Sequence, residues 1–351
     1  MLEEQNQGMD IDGRVLVTGG AGFLGSALVT VLLRQGFTVV VLDNFWTSDQ
    51  SVHHQLWKHP KLTLIRANVA DSVPEDILPC ARIYHLACPA SPKHFATDPL
   101  RILDTCYLGT RNVLDKARQW KARLLLASTS EVYGQAERDP QDETYLGNVN
   151  CFGPRSCYDE GKRVAEALAY AYRVLYGNVP LTRVARVFNA YGPGMHPDDG
   201  RVVTSFIQAA IRGEELVITG DGQSTRCFQY VDDCVTGMIA LMESTWEGGP
   251  MNIGRETETT IEELAHAVIR SVSKATGGPE SGIVYRAAPP DDPVQRRPDC
   301  ALARRVLGWS AQTDLLEGLQ RTIKWHLKEH SESVLNIEPL GNHYNDCENG
   351  D

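Results

Sequence analysis

The chain has no apolar run approaching the roughly 20 residues that span a bilayer. Its N-terminus also lacks the basic, apolar pattern of a secretory signal. Both absences point to a cytoplasmic protein with no membrane partner. None of its nine cysteines forms a C-x-x-C pair, which argues against zinc and against a disulfide framework and reads as reduced thiols. Positive charge is short as well: 34 Lys and Arg against 45 Asp and Glu leave a formal net charge of −11. That is no footprint for nucleic acid or an acidic membrane surface. No internal repeat and no low-complexity stretch is present. Acidic residues near both ends inflate the charge, and the tails, 1–12 and 331–351, are expected to be solvated and flexible.

The 351 residues can bury a large core, and strand-like runs alternate along them with amphipathic segments. Strands are expected at 14–18, 37–42, 62–65, 81–86, 122–128 and 181–187. Helices are expected at 26–36, 100–120 and 158–176. This alternation implies an α/β fold, a doubly wound parallel sheet of Rossmann type with a smaller C-terminal substrate-binding lobe. The expected division gives 13–190 and 228–254 to the sheet domain, and 191–227 and 255–330 to the lobe. Ligands belong at the carboxyl ends of the strands.

The first strand runs into Gly19-Gly20-Ala21-Gly22-Phe23-Leu24-Gly25. Gly19 permits the tight turn, Gly22 lets the backbone approach a pyrophosphate, and Gly25 lets helix pack on strand. The helix N-terminus then offers free N–H groups and a favourable dipole to the phosphates. Asp43, ending the second strand, is placed to accept from the adenosine ribose hydroxyls and would repel a 2′-phosphate. The loop 46–51 offers no Arg or Lys to hold one, so NAD is favoured over NADP. Further on, Tyr158 and Lys162 stand four apart on a helix, sharing one face. There the ammonium can lower the phenol from its usual value of about 10 and make the phenolate a base near neutrality. A Tyr-x-x-x-Lys alone is a weak signal; behind a dinucleotide fingerprint and Ser128-Thr129-Ser130-Glu131 it is a strong one.

Longer strings carry a closer likeness. They are His85-Leu86-Ala87-Cys88-Pro89-Ala90-Ser91-Pro92, 128–134, 155–163, Arg186-Val187-Phe188-Asn189-Ala190-Tyr191-Gly192-Pro193, Asp198-Asp199-Gly200-Arg201-Val202-Val203, Arg226-Cys227-Phe228-Gln229-Tyr230-Val231, and Asp291-Asp292-Pro293 with Arg296-Arg297-Pro298-Asp299. With them the chain resembles the UDP-glucuronate decarboxylase (UDP-xylose synthase) family of the extended short-chain dehydrogenase/reductases, over about 13–330. The resemblance implies a catalytic set of Thr129, Glu131, Tyr158, Lys162 and Arg296. It implies NAD contacts at Gly19, Gly22, Phe23, Leu24, Asp43, Asn44, Asn68, Leu86, Ala87, Tyr158 and Lys162. It places Glu131, Asn189, Arg201, Arg226, Tyr230 and Arg296 at the UDP-sugar. Within that set, Glu131 is assigned to positioning and proton handling and Arg296 to stabilising the enolate.

Ser130 separates the branches. Sugar-nucleotide 4,6-dehydratases carry aspartate there to protonate a departing C6 hydroxyl, whereas a C6 carboxylate has no such leaving group and would be repelled. Departures from the family also stand out: Cys106 where asparagine is usual, Phe95 where tyrosine is usual, Asn68 for an aspartate near adenine, and His54 for a glutamate. Two other readings share Tyr158 and Lys162: an NDP-sugar 4-epimerase or 4,6-dehydratase, and a non-catalytic NAD-binding homologue. The resemblance further implies a homodimer built from the helices 100–120 and 158–176. Each bears an apolar stripe (Val113, Leu114 and Ala117; Ala165, Leu168 and Ala169) that could equally be core.

Overall fold

The computed structural model describes residues 11–48, 55–287 and 295–335. Most of both expected tails, the whole 49–54 segment with His54, and Asp291-Asp292-Pro293 lie outside the described residues. In chain order the first half runs β1 (Arg14–Thr18), α1 (Phe23–Arg34), β2 (Thr38–Asp43), β3 (Leu62–Arg66), β4 (Arg82–His85), α2 (Pro99–Asp104), α3 (Thr110–Trp120), β5 (Arg123–Thr129), α4 (Ser156–Tyr176) and β6 (Thr182–Val187). The rest is β7 (Ala190–Tyr191), α5 (Val202–Ile211), β8 (Leu216–Thr219), β9 (Thr225–Arg226), β10 (Gln229–Tyr230), α6 (Val231–Glu243), β11 (Met251–Ile253), β12 (Thr259–Thr260), α7 (Ile261–Thr276), β13 (Ile283–Arg286), β14 (Gln295–Arg296), α8 (Ala301–Leu307) and α9 (Leu315–Leu335).

Seven strands form one parallel sheet in the order β11-β6-β5-β4-β1-β2-β3. This is the doubly wound Rossmann arrangement, with the order reversing between β1 and β4. Both faces are covered, which is why its strands read as continuous apolar runs. Alternate residues separate into two cores: Val15, Val17, Val39 and Val41 pack toward α1 and α6, while Leu16, Val40 and Leu42 face α3 and α4. β11 adds to the sheet beyond β6, whereas β10 pairs with β7 outside it. The remaining short strands make a three-stranded sheet, β12-β9-β14, and a pair, β13-β8.

Two local features depart from the expected elements. α1 starts at Phe23 rather than Ser26, because the fingerprint glycine Gly22 itself is the N-cap and leaves no capping side chain to mark the start. The helix expected at 100–120 is present, but a π turn at Thr105–Gly109 divides it into α2 and α3. Both expected stripes are largely core: Val113, Leu114, Ala117, Ala165 and Ala169 are buried against the sheet. Among the described residues no helix is long and apolar enough to cross a membrane.

Candidate active site

A cavity of about 1030 Å³ opens at the carboxyl ends of the strands, facing the lobe. Pockets for one small ligand hold about 300–1,000 Å³, so this one has room for a dinucleotide and a nucleotide sugar together. Gly19, at φ 70°, brings the turn so close to the next strand's exit that a Cβ would lie 2.7 Å from the Ala87 backbone. A Cβ at Gly25 would overlap the Gly19 carbonyl oxygen, whereas at Gly22 the nearest atom is 3.4 Å away. Only Gly22 of the three therefore presents open backbone to a ligand. Phe23, Leu24, Asp43, Asn44, Asn68, Leu86 and Ala87 line the same region.

Asp43 does more than end β2. Its Oδ2 accepts from the Ala21 amide at 3.0 Å, and its Oδ1 accepts from the Phe45 amide at 2.8 Å and the Ser48 hydroxyl at 3.0 Å. The carboxylate thus braces the glycine turn and keeps one lone pair, on Oδ2, for a ribose hydroxyl. Open Gly22 backbone, an uncapped helix start and a fixed carboxylate together fit the adenosine diphosphate half of NAD.

Tyr158 and Lys162 lie on the first turns of α4, beside Thr129 at the end of β5, and all three line the cavity. The Lys162 ammonium donates to the Ala127 carbonyl at 2.9 Å and lies 6.0 Å from the Tyr158 ring centroid. Phe95 stacks on Tyr158 with ring centroids 5.1 Å apart, and the Arg155 guanidinium lies over the Phe95 ring at 5.6 Å. The Lys162 ammonium pulls the Tyr158 phenol down, as the helical spacing implies, but it does not act alone. Burial is the largest influence and raises the Tyr158 phenol above its usual range, while Lys162 and the Thr129 side chain pull it down. His85, between Thr18 and Thr110, is lowered to about 3 by burial and then by Lys162, so it is a neutral spacer.

Glu131 follows Thr129, whose hydroxyl accepts from the Glu131 amide at 3.2 Å and fixes the short turn Ser130–Tyr133. Its carboxylate is gripped from both sides: Arg155 Nη2 donates to Oε2 at 2.5 Å, and Arg296 Nη1 donates to Oε1. Arg296 also donates to the Gly134 carbonyl at 3.1 Å and is 3% exposed. Burial would raise the Glu131 carboxyl, but Arg296 and then Arg155 outweigh it and lower it to about 2. It is therefore an ionised anchor, which narrows the expected role in proton handling. Asp159, 3.6 Å from Arg155, is raised to about 7 by burial and by Glu131.

The lobe delivers Arg296 through pairing. β14 runs parallel to β9 with Arg296 opposite Arg226, so both side chains leave the same face toward the cavity. Next to β14, the Gln141 amide donates to the Arg297 carbonyl at 2.8 Å, and Arg297 pairs with Asp139 at 2.9 Å. Asn189 and Arg201 line the cavity as well, Arg201 paired with Asp199 at 2.9 Å. Tyr230 does not join them: its buried ring packs against Tyr191 and beneath Arg321 in the lobe core.

Comparison with known proteins gives the same picture. The GDP-mannose 4,6-dehydratase family model matches residues 16–322. UDP-glucuronic acid decarboxylase 1 of Arabidopsis thaliana is 46% identical over 310 residues, 88% of this chain and 69% of that protein. The chain belongs to this family, within its UDP-glucuronic acid decarboxylase branch. Among solved structures, epimerase Mth375 of Methanothermobacter thermautotrophicus aligns with a TM-score of 0.82 at 28% identity, covering 93% of this chain and 96% of that one. MoeE5, solved in complex with UDP-glucuronic acid and NAD, aligns with a TM-score of 0.75 at 31% identity, covering 90% and 99%.

Against this family frame, sequence reasoning passed over Arg155 as a partner of Glu131, and Asp159 altogether. The signal for Arg155 was available: it stands at the N-cap of α4, one turn before Tyr158 and Asp159. No local pattern marks the contact between residues 131 and 296.

Proposed function

We propose that this chain converts UDP-glucuronate to UDP-xylose and carbon dioxide through a 4-keto intermediate, with NAD regenerated each turnover. One observation carries the reading: beside Tyr158 and Lys162, a single carboxylate is held between two arginines. With Asp159 only partly ionised at neutrality, two arginines outweigh the two carboxylates and the cluster keeps a positive balance, matched to a sugar carrying a C6 carboxylate. Ser130 adjoins it and adds no second negative charge.

Tyr158 takes the proton of the sugar C4 hydroxyl as a tyrosinate, the form that Lys162 and the Thr129 side chain favour against the raising effect of burial, and Thr129 hydrogen-bonds near the reacting oxygen. When bound, NAD supplies the hydride acceptor and returns the hydride to the sugar at the end. Glu131, Gly19, Gly22, Asp43 and the cavity residues named above orient the two ligands, with Arg201, Arg226 and Asn189 toward the nucleotide. The 4-ketone makes the C6 carboxylate a β-keto acid, so the C5–C6 electron pair can pass to the ketone oxygen as carbon dioxide leaves. Arg296 stabilises the enolate, C5 then gains a proton, and Tyr158 returns its proton to O4.

In the proposed organisation, residues 13–190 and 228–254 hold NAD, and residues 191–227 and 255–330 close over the sugar. A cytoplasmic enzyme fits the described cysteines, all of which are free. A homodimer is supported by apolar side chains exposed on α2, its π turn and α4, namely Leu100, Leu103, Tyr107 and Val164. Light scattering at micromolar concentration should give twice the chain mass; a monomer removes the dimer. The deciding test of function is incubation with UDP-glucuronate and NAD followed by mass spectrometry. Loss of carbon dioxide is expected, and a product that keeps its carboxylate would make the chain a 4-epimerase instead.

A further inference from the structure

Two cysteines meet at the centre of this site, and the proposed reaction uses neither. Cys88 follows β4 in the loop lining the cavity, and Cys106 stands in the π turn that interrupts the helix. Their sulfurs are 3.4 Å apart. Cys106 is 2% exposed and is accommodated because α4 carries glycine opposite it, where a Cβ on Gly161 would lie 3.0 Å from its sulfur. Gly161 sits between Tyr158 and Lys162, so the pair is wedged against the catalytic turn itself. The hydrogen bond from Cys106 lowers the Cys88 thiol to about 7, burial opposes this, and the Lys162 charge reinforces it. Cys106 is raised well above the usual thiol range by Cys88 and by burial. One sulfur is therefore the nucleophile, and its neighbour is a retained thiol.

We propose that Cys88 and Cys106 form an oxidation site, at which a hydroperoxide entering the cavity converts the pair to an intrachain disulfide that shuts off turnover. The Cys88 sulfur attacks one peroxide oxygen, the O–O bond breaks, and the departing oxygen takes a proton and leaves as water (or as an alcohol, from an organic peroxide). Cys88 is then a sulfenic acid, oxidised by two electrons. The Cys106 sulfur displaces its hydroxyl, the S–O bond breaks as the S–S bond forms, and the Cys106 proton leaves with that hydroxyl as water. Bonding needs the sulfurs to approach by about 1.4 Å, since a disulfide spans about 2.05 Å. That approach has to come from the loop bearing Cys88 or from the π turn. Oxidation removes the sulfur partner of the Lys162 ammonium and ties the loop to the π turn, so Lys162 and Tyr158 lose their set geometry.

The test uses the full chain treated with hydrogen peroxide, alkylated without reduction and mapped by peptide mass spectrometry. A peptide joined between Cys88 and Cys106 is expected, formed faster than any modification of the exposed Cys151. Turnover should fall at least tenfold in step with the bridge and return with a dithiol reductant. Cys106→Ser should instead stop at a sulfenic acid on Cys88, captured by a 1,3-diketone probe. Oxidation confined to Cys151, bridging of Cys88 to Cys157, or a bridged protein with unchanged turnover would each overturn the proposal. The peptide map is independent of the substrate, so a protein inactive on UDP-glucuronate still reports on the bridge.

Discussion

Replacing Arg296 by alanine separates the two halves of the proposed chemistry. Arg296 is 3% exposed and contributes two hydrogen bonds, to Glu131 and to the Gly134 carbonyl. Orphaning a buried charge typically costs about 3–5 kcal/mol. Here Glu131 keeps Arg155 at 2.5 Å, so the stability loss should lie near or below the lower end, about 2–3 kcal/mol. Against a typical total of about 5–15 kcal/mol, the variant remains folded. Catalysis should suffer selectively, because no contact joins Arg296 to Tyr158, Lys162 or Thr129 among the described hydrogen bonds. Loss of one preorganised charge at a developing enolate is worth about 3–4 kcal/mol, a factor of about 10² to 10³ on carbon dioxide loss. Oxidation then outruns decarboxylation, and a single turnover should accumulate reduced nicotinamide, seen by its near-ultraviolet absorbance, together with the 4-keto uronate. Arg296→Ala making UDP-xylose at the ordinary rate would refute the assignment and shift the role to Arg155.

Tyr158→Phe removes the base while leaving the buried ring stacked on Phe95, so turnover should drop by about 10² to 10⁴ with NAD affinity by calorimetry nearly unchanged; substantial activity would discard the mechanism. Asp43 should hold NADP binding at least about tenfold weaker than NAD through like-charge repulsion, and equal affinities would contradict its placement. Asp159 titrates at about 7 rather than 3.8, so across that window the native state holds a proton that the unfolded chain has lost. Stability must therefore fall as pH rises from about 4 to about 7. Asp159→Asn should remove that fall, on the order of 2–4 kcal/mol in total across the window, read from thermal melts at several pH values; an unchanged slope would show that another group is responsible.

The sheet, the glycine turn and the Tyr158–Lys162 pair were legible because each is written locally, in strand-length apolar runs or in fixed helical spacing. Phe23 as the true start of α1 was not, because a glycine N-cap carries no side-chain signal. The π turn was hidden because one wider turn hardly disturbs the apolar period of a long helix. Tyr230 looked like a substrate contact from its motif, yet the pairing of β10 with β7 turns its ring into the lobe core. The grip on Glu131 joins residues 165 positions apart; sequence supplied the residues and only the folded lobe supplies their meeting.

The pairing of β9 with β14 makes two apparently separate talents into one heritable unit. Arg226 and Arg296 are neighbours on a ladder only two residues long. In such a ladder, a slip of one residue turns every side chain to the opposite face. An insertion or deletion that moves β14 by one position would thus withdraw Arg296 from Glu131 and break its alignment with Arg226 at a stroke. Under the proposed roles, sliding this strand to suit a different nucleotide would also disarm the carboxylate chemistry. Side-chain replacement at fixed register is the change this ladder tolerates without losing either alignment.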